Sequence, residues 1–240
     1  ARELVDAVLA SRDGEPPVFV PLGELLGDPL GAELYARGIQ ALHRQRNAEA
    51  AELLEAATTR LPDSGLLQAA LAKARFDPTA FEDSMTRYQR VLDQTPDAQP
   101  RARAWLLYEI GTERWFQGDV DQAALFLEQA LAFSEQADDV FLHALTANSL
   151  AFVRQSQNRF DDAWTLALEP EQEFRELGAT FHLGQALPNL RYLPEDFGRL
   201  LEARAFHEDA LALREQSGLP ELIAASHYGL ARIDRRLGRF

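Results

Sequence analysis

A turn-forming dipeptide recurs every 40 residues over the second half of the chain. Its four occurrences are Gly118-Asp119, Asn158-Arg159, Gly198-Arg199 and Gly238-Arg239. Gly and Asn adopt the left-handed backbone of a tight helix-to-helix turn more readily than other residues. Between the turns, apolar residues follow one another at three- and four-residue spacing, which is typical of one face of a helix. A fixed period of this length predicts stacked copies of one unit, a pair of antiparallel helices.

Small residues also recur in a fixed order within each unit. In the first unit, Gly38, Ala50, Ala57 and Pro62 are separated by 12, 7 and 5 residues, with the bulky Leu54 between the two alanines. Two helices approach closely where one of them has Gly or Ala at the contact, so this order predicts a close helix pair. The same order begins again at three later small residues: Ala72, Gly111 and Ala151.

This order of small and bulky positions, ending in proline, resembles the tetratricopeptide repeat (TPR) family, whose helix-turn-helix unit has about 34 residues. Pro62 and Pro96 are 34 residues apart. The later units, at 40 residues, resemble the longer repeats of bacterial peptide-sensing regulators, signalling ATPases and animal scaffold proteins. The resemblance spans residues 32–240 and implies an all-α fold, a right-handed superhelical solenoid of about six helix pairs. We expect the last repeat to be incomplete, because the sequence stops at Phe240 after the first helix of that unit.

Two segments depart from the repeat pattern. Residues 1–31 precede it, and they comprise a predicted helix from Arg2 to Ala10 and an apolar arm around Phe19. We expect the arm to cover the first repeat or to occupy a groove in this or a neighbouring molecule. Pro188 and Pro194 fall inside the first helix of the fifth unit, where an interior proline costs about 3 kcal/mol. That helix is expected to be short, kinked or locally unwound.

Composition limits the classes of function. Acidic residues number 38 and basic residues 24, so the formal charge of -14 repels phosphates and anionic lipid head groups. We therefore expect no nucleic-acid or membrane partner. The chain has no Cys, which excludes disulfides, thiolate zinc sites and cysteine nucleophiles. No apolar run approaches the roughly 18 residues of a membrane span, and we expect a cytoplasmic protein.

Sequence signatures of catalysis are missing, so no catalytic residue, metal ligand or cofactor is predicted. The histidines are scattered, and His207-Glu208 lacks the second histidine four residues on that a helical zinc site needs. Neither a Gly-rich phosphate loop nor a Gly-x-Ser-x-Gly elbow occurs. The carboxylate pairs Asp138-Asp139 and Asp161-Asp162 fall at predicted turns, where Asp caps the following helix.

The TPR resemblance implies where a ligand would bind. In that family the first helix of every pair lines a concave groove, through the residues three before, one after and four after the small packing residue. The predicted peptide-binding groove consists of Tyr108, Thr112, Trp115, Asn148, Phe152, Gln155, Tyr192, Tyr228, Arg232 and Arg235. In the first unit the same rule selects Tyr35, Ile39 and Leu42. The alternative for each aromatic residue is a place in the core between repeats.

The predicted function is non-catalytic recognition of a protein or peptide segment. Aromatic faces would lie beside Asn148 and Gln155, whose amides can both donate and accept hydrogen bonds. By the resemblance, Asn148 corresponds to an inner-face Asn that holds the ligand backbone in related repeats. Arg232 and Arg235 indicate a carboxylate-bearing partner or a solvated face. We interpret the chain as a scaffold or as the sensor module of a signalling or transcription regulator; the alternative is a self-associating scaffold, a homodimer whose second copy fills the groove or the last repeat.

Overall fold

The structure is a computed structural model that describes residues 27–176, 200–217 and 220–239. Within these residues the chain forms α-helices and one short 3-10 helix, Pro78–Ala80, and no strand. The α-helices are α1 (Pro29–His43), α2 (Asn47–Arg60), α3 (Gly65–Ala74), α4 (Phe81–Gln94), α5 (Pro100–Phe116), α6 (Val120–Gln136), α7 (Val140–Ser156), α8 (Phe160–Glu176), α9 (Leu200–Ser217) and α10 (Pro220–Arg236). The predicted all-α solenoid of helix pairs is confirmed.

Two helix pairs, α1 with α2 and α5 with α6, close on a contact between a glycine and a leucine. A Cβ atom added to Gly38 on α1 would lie 2.6 Å from Cγ of Leu54 on α2, and one added to Gly111 on α5 would lie 2.7 Å from Cγ of Leu127 on α6. Both leucines are fully buried. The small-and-bulky order in the sequence therefore marks the point where the two helices of a pair come closest.

The turns between helices use the left-handed backbone that the 40-residue period predicts. Gly118, Asn158 and Gly238 have φ of 82°, 60° and 71°. Gln45, in the turn between α1 and α2, has φ of 57° although it is neither Gly nor Asn. In the turn at Gly118 the backbone N–H donates to Trp115 O at 2.9 Å, which satisfies a carbonyl at the end of α5.

Aspartates cap the first turns of α6 and α7. The Asp119 carboxylate accepts a hydrogen bond from Gln122 N at 3.3 Å, and the Asp139 carboxylate accepts one from Leu142 N at 3.0 Å. Each supplies an acceptor for an N–H at the first turn of a helix. The capping role predicted for Asp139 is confirmed.

The first helices of neighbouring pairs lie side by side, α1 against α3, α3 against α5 and α5 against α7. The second helices α2, α4, α6 and α8 approach one another less closely. A stack that is tighter on one side curves toward that side. We call the layer formed by α1, α3, α5 and α7 the inner wall.

Several sequence predictions fall outside the described residues. They concern the segment 1–26, the turn at Gly198 and the prolines Pro188 and Pro194. In the part of the chain that is described, no helix has both the length and the apolar character needed to cross a membrane.

Candidate functional site

One side of α5, on the inner wall, carries side chains that the core does not bury. Leu106, Leu107 and Ile110 point away from this face and are buried among neighbouring helices. Residues at helical spacing on the opposite side stay half-buried or exposed: Trp105, Tyr108, Glu109, Thr112, Glu113, Trp115 and Phe116. Three of the residues predicted to line the groove, Tyr108, Thr112 and Trp115, are half-buried on this side of α5.

Three aromatic rings meet where α5 ends. The ring centroids of Trp115 and Phe116 are 5.1 Å apart, and those of Trp115 and Phe152 on α7 are 5.9 Å apart. Phe116 is 71% exposed, whereas Trp115 and Phe152 are half-buried. We call Trp115, Phe116 and Phe152 the aromatic patch.

Phe116 was not among the predicted groove residues. The rule used three positions per helix, and Phe116 lies five residues after Gly111, beyond the last of them. A usable signal was present, because Phe116 follows Thr112 by four residues and so lies on the same helical face.

Uncharged polar groups of α7 border the aromatic patch. Asn148 and Gln155 precede and follow Phe152 by one helical turn and are half-buried. The Trp115 indole N–H donates to Ser156 Oγ across a long 3.5 Å, and Ser156 Oγ donates to Phe152 O at 3.0 Å. Trp115 thus contacts Phe152, and Asn148 and Gln155 lie one helical turn on either side of Phe152.

The hydroxyl groups of Tyr108 and Thr112 already form hydrogen bonds within the protein. The Tyr108 ring packs edge-on against Trp105, with centroids 5.8 Å apart, and its hydroxyl hydrogen-bonds Ser149. Burial raises the pKa of Tyr108 to about 12, so the phenol stays neutral at physiological pH. Thr112 Oγ1 donates to Glu109 O of its own helix at 3.0 Å.

An ion cluster lies beside these residues, between α3 and α5. Lys73 Nζ is 2.5 Å from Glu109 Oε2 and 3.1 Å from Glu113 Oε1. Burial alone would lower the pKa of Lys73, but the two carboxylates more than offset it and raise that pKa above its ordinary value. Lys73, the only lysine of the chain, is therefore charged and held against two glutamates. The sequence predicted no role for these three residues, which we call the ion cluster.

The other predicted groove residues are placed differently. Tyr35 on α1 is only 3% exposed and belongs to the core around Leu66 and Ala70, so the expectation that it lines the groove is wrong. The cause is the close packing of α3 over its ring. Tyr228, Arg232 and Arg235 lie on α10, which packs against α9; Tyr228 is 72% exposed, Arg235 is exposed and Arg232 is half-buried. Tyr192 is outside the described residues.

The accessible face of α5 and α7 offers several kinds of contact group. They are aromatic rings, amides, hydroxyls and the ion cluster. Within residues 27–176, 200–217 and 220–239, no three metal-ligating side chains come together. An exposed aromatic surface bordered by amides can bind an apolar side chain and hydrogen-bond a peptide backbone.

Comparison with solved structures shows the same fold in several helical repeat proteins. BtubC (BKLC) from P. vanneervenii is 20% identical, with a TM-score of 0.69 over 83% of this chain and 85% of that one. Aspartyl phosphate phosphatase F from Bacillus subtilis is 15% identical, with a TM-score of 0.64 over 95% of this chain and 64% of that one. PilF of Pseudomonas aeruginosa is 17% identical, with a TM-score of 0.57 over 88% of this chain and 92% of that one.

These proteins are TPR-like helical repeats, and this chain shares their fold. At such low identity the likeness establishes the architecture alone. No family model and no curated protein sequence matches the chain.

Proposed function

We propose that this chain is a non-catalytic recognition module that binds a peptide segment of a partner protein along the inner wall of α5 and α7. The observation that carries the proposal is the exposure of Phe116, 71%, beside the ring of Trp115, which in turn packs against Phe152. Covering an exposed aromatic cluster with an apolar side chain lowers the free energy, by about 25 cal/mol per Å² of apolar surface removed from water. Aromatic anchors of this kind dominate binding energy at protein interfaces.

The amides and hydroxyls of α7 would complete the contact. Asn148 and Gln155 stand one turn on either side of Phe152, so a peptide that lies over Phe152 passes both amides. Each amide can donate to a backbone carbonyl and accept from a backbone N–H. This arrangement suits an extended segment, or one face of a helix laid along the wall.

The sharper form of the proposal is that the module senses its ligand for a larger regulator. A ligand that bridges α5 and α7 would favour one spacing of these two helices, and a repeat stack converts a small change between neighbours into a change of curvature. Small-angle X-ray scattering with and without a bound peptide tests this form. A change in the radius of gyration supports it, and identical scattering curves contradict it.

Selection from a random peptide library displayed on phage tests the binding proposal itself. The wild-type chain is compared with Phe116→Ala/Phe152→Ala and with the control Leu125→Ala, because Leu125 is a half-exposed leucine on the second helix α6. We expect peptides with an apolar or aromatic anchor to bind the wild type and the control. The double variant should not bind them. Equal binding to all three, with matching circular dichroism, would overturn the proposal.

Sedimentation of the same preparations separates peptide recognition from self-association. A monomer that binds the selected peptides supports recognition of a partner. A dimer that Phe116→Ala converts to a monomer would assign the aromatic patch to a second copy of the chain instead.

A further inference from the structure

The ion cluster carries an excess of negative charge next to the aromatic patch. Lys73 Nζ contacts one oxygen of each carboxylate, Oε2 of Glu109 and Oε1 of Glu113. One ammonium therefore faces two carboxylates, and the cluster keeps one net negative charge. Both glutamate side chains are only 13% exposed, so water screens that charge less than it would on an open surface.

The cluster and the aromatic patch lie along the same helix face within reach of one ligand. Glu113 precedes Phe116 by three residues and Glu109 precedes it by seven, which places them about 4.5 Å and 10.5 Å back along the axis of α5. An extended peptide advances about 3.3 Å per residue, so these distances span roughly one to three ligand residues. The polar side chains on the other border of the patch, Asn148, Gln155 and Ser156, are uncharged.

We propose that the inner wall selects a positively charged segment, in which an apolar anchor covers the aromatic patch and an Arg or Lys one to three residues away pairs with Glu109 and Glu113. This inference rests on the function proposed above and adds the charge of the partner. The net charge of -14 acts in the same direction, because it draws cationic segments toward the chain. An acidic ligand side chain would be repelled by the two carboxylates, because Lys73 is already paired with both of them.

The phage library provides the first test, because sequencing the selected peptides shows which charge accompanies the anchor. We expect Arg or Lys to be enriched one to three positions from the apolar anchor in peptides selected on the wild type. On Glu113→Gln the anchor should persist while the enrichment of Arg and Lys falls. This variant leaves Glu109 on Lys73 and so keeps the half-buried ammonium paired.

A double-mutant cycle provides the second test. One selected peptide and its Arg→Gln analogue are titrated against the wild type and against Glu113→Gln. The Arg→Gln change should weaken binding to the wild type about tenfold and binding to Glu113→Gln much less, since the charge pair is then already broken.

The outcomes separate this inference from the one on which it rests. Peptides with an apolar anchor but no preference for Arg or Lys, or a preference for Asp and Glu, overturn the charge assignment and leave the aromatic patch as the binding site. A library that yields no enriched anchor at all overturns both. Equal loss of affinity on the two proteins in the double-mutant cycle also overturns the pairing with Glu113.

Discussion

The helix pairs α1–α4 and the helix pairs α5–α8 are built on the same contact but present different inner walls. Gly38 against Leu54 and Gly111 against Leu127 are the same close approach. In the first region the aromatic residue three before the small position, Tyr35, is buried at 3% exposure, whereas its counterpart Tyr108 is half-buried on an accessible face. The two regions therefore differ in what the shared framework leaves exposed.

Helix length accounts for a second difference between the two regions. The helices α5 to α8 have 17 residues each, whereas α3 has only 10 and ends at Ala74, two residues after its small position. Phe76 occupies the position of Trp115, but it follows the end of α3 and packs against Phe81 and Tyr88, with centroids 6.5 Å and 6.2 Å away. In α5 the helix continues through Trp115 to Phe116. At this position the shorter helix leaves Phe76 against Phe81 and Tyr88, whereas the longer helix carries Trp115 beside the exposed Phe116.

The largest expected effect tests the contact that the two regions share. Gly38→Val and Gly111→Val should each lower the free energy of unfolding by about 3 kcal/mol, because the added Cβ would lie under 3 Å from a buried leucine. Urea denaturation measures the change. Ala56→Val on the exposed side of α2 is the control and should cost only about 0.5 kcal/mol in helix propensity. A tolerated Gly111→Val would break the equivalence of the two regions.

The next prediction compares one aromatic residue from each region, Phe76 and Phe116. Phe76→Ala should lower the free energy of unfolding by about 2 kcal/mol and leave peptide binding unchanged, since Phe76 packs on Phe81 and Tyr88. Phe116→Ala should change stability by less than about 0.5 kcal/mol and abolish binding of the selected peptides. Denaturation and peptide titration on both variants give the comparison. Similar stability losses for the two would contradict the account of helix length.

A smaller effect is expected at the turns, which have the same backbone in the two regions but different residues. Gly118→Ala should lower the free energy of unfolding by about 1 kcal/mol, because its φ of 82° is unfavourable for a residue with a side chain. Gln45→Gly should raise it by about 0.5 kcal/mol, since Gln45 adopts φ of 57° at a cost that Gly avoids. Thermal unfolding of the two variants measures both shifts, and shifts of the same sign would show that the turns are not equivalent.

The smallest effect concerns Tyr108. Burial raises its pKa from 10.0 to about 12, so the folded state holds the phenolic proton more tightly than the unfolded state. The resulting stability is complete below about pH 10 and is lost as the pH rises toward 12. Tyr108→Phe should therefore lose less stability than the wild type across this range, in urea titrations at a series of alkaline pH values. Parallel pH dependence of the two proteins would show that Tyr108 is not protected in the folded state.

The fold could be predicted because its signals are local in sequence. The 40-residue period, the left-handed turn at Gly118 and the spacing of Gly111 and Leu127 each depend on a few residues within one helix pair. Gln45 and Asp138 adopt the same backbone, with φ of 57° and 51°, so the turn does not require Gly or Asn.

The candidate site could be predicted only in part. Trp115 and Phe152 follow from helix phase, and the structure brings them together. Tyr35 follows from the same phase but is buried, because phase does not show how tightly the next helix packs. The ion cluster joins Lys73 to Glu113 across 40 residues, and neither residue marks the contact in the sequence.

Fluorescence of Trp115 tests the central claim most directly. Trp105→Phe and Trp164→Phe remove two of the three tryptophans and leave Trp115 as the only reporter. Binding of a selected peptide is predicted to shift the Trp115 emission to shorter wavelength and to protect it from acrylamide, because the ligand would cover the aromatic patch. A peptide that binds this variant with unchanged Trp115 emission and quenching would contradict recognition at the inner wall of α5 and α7.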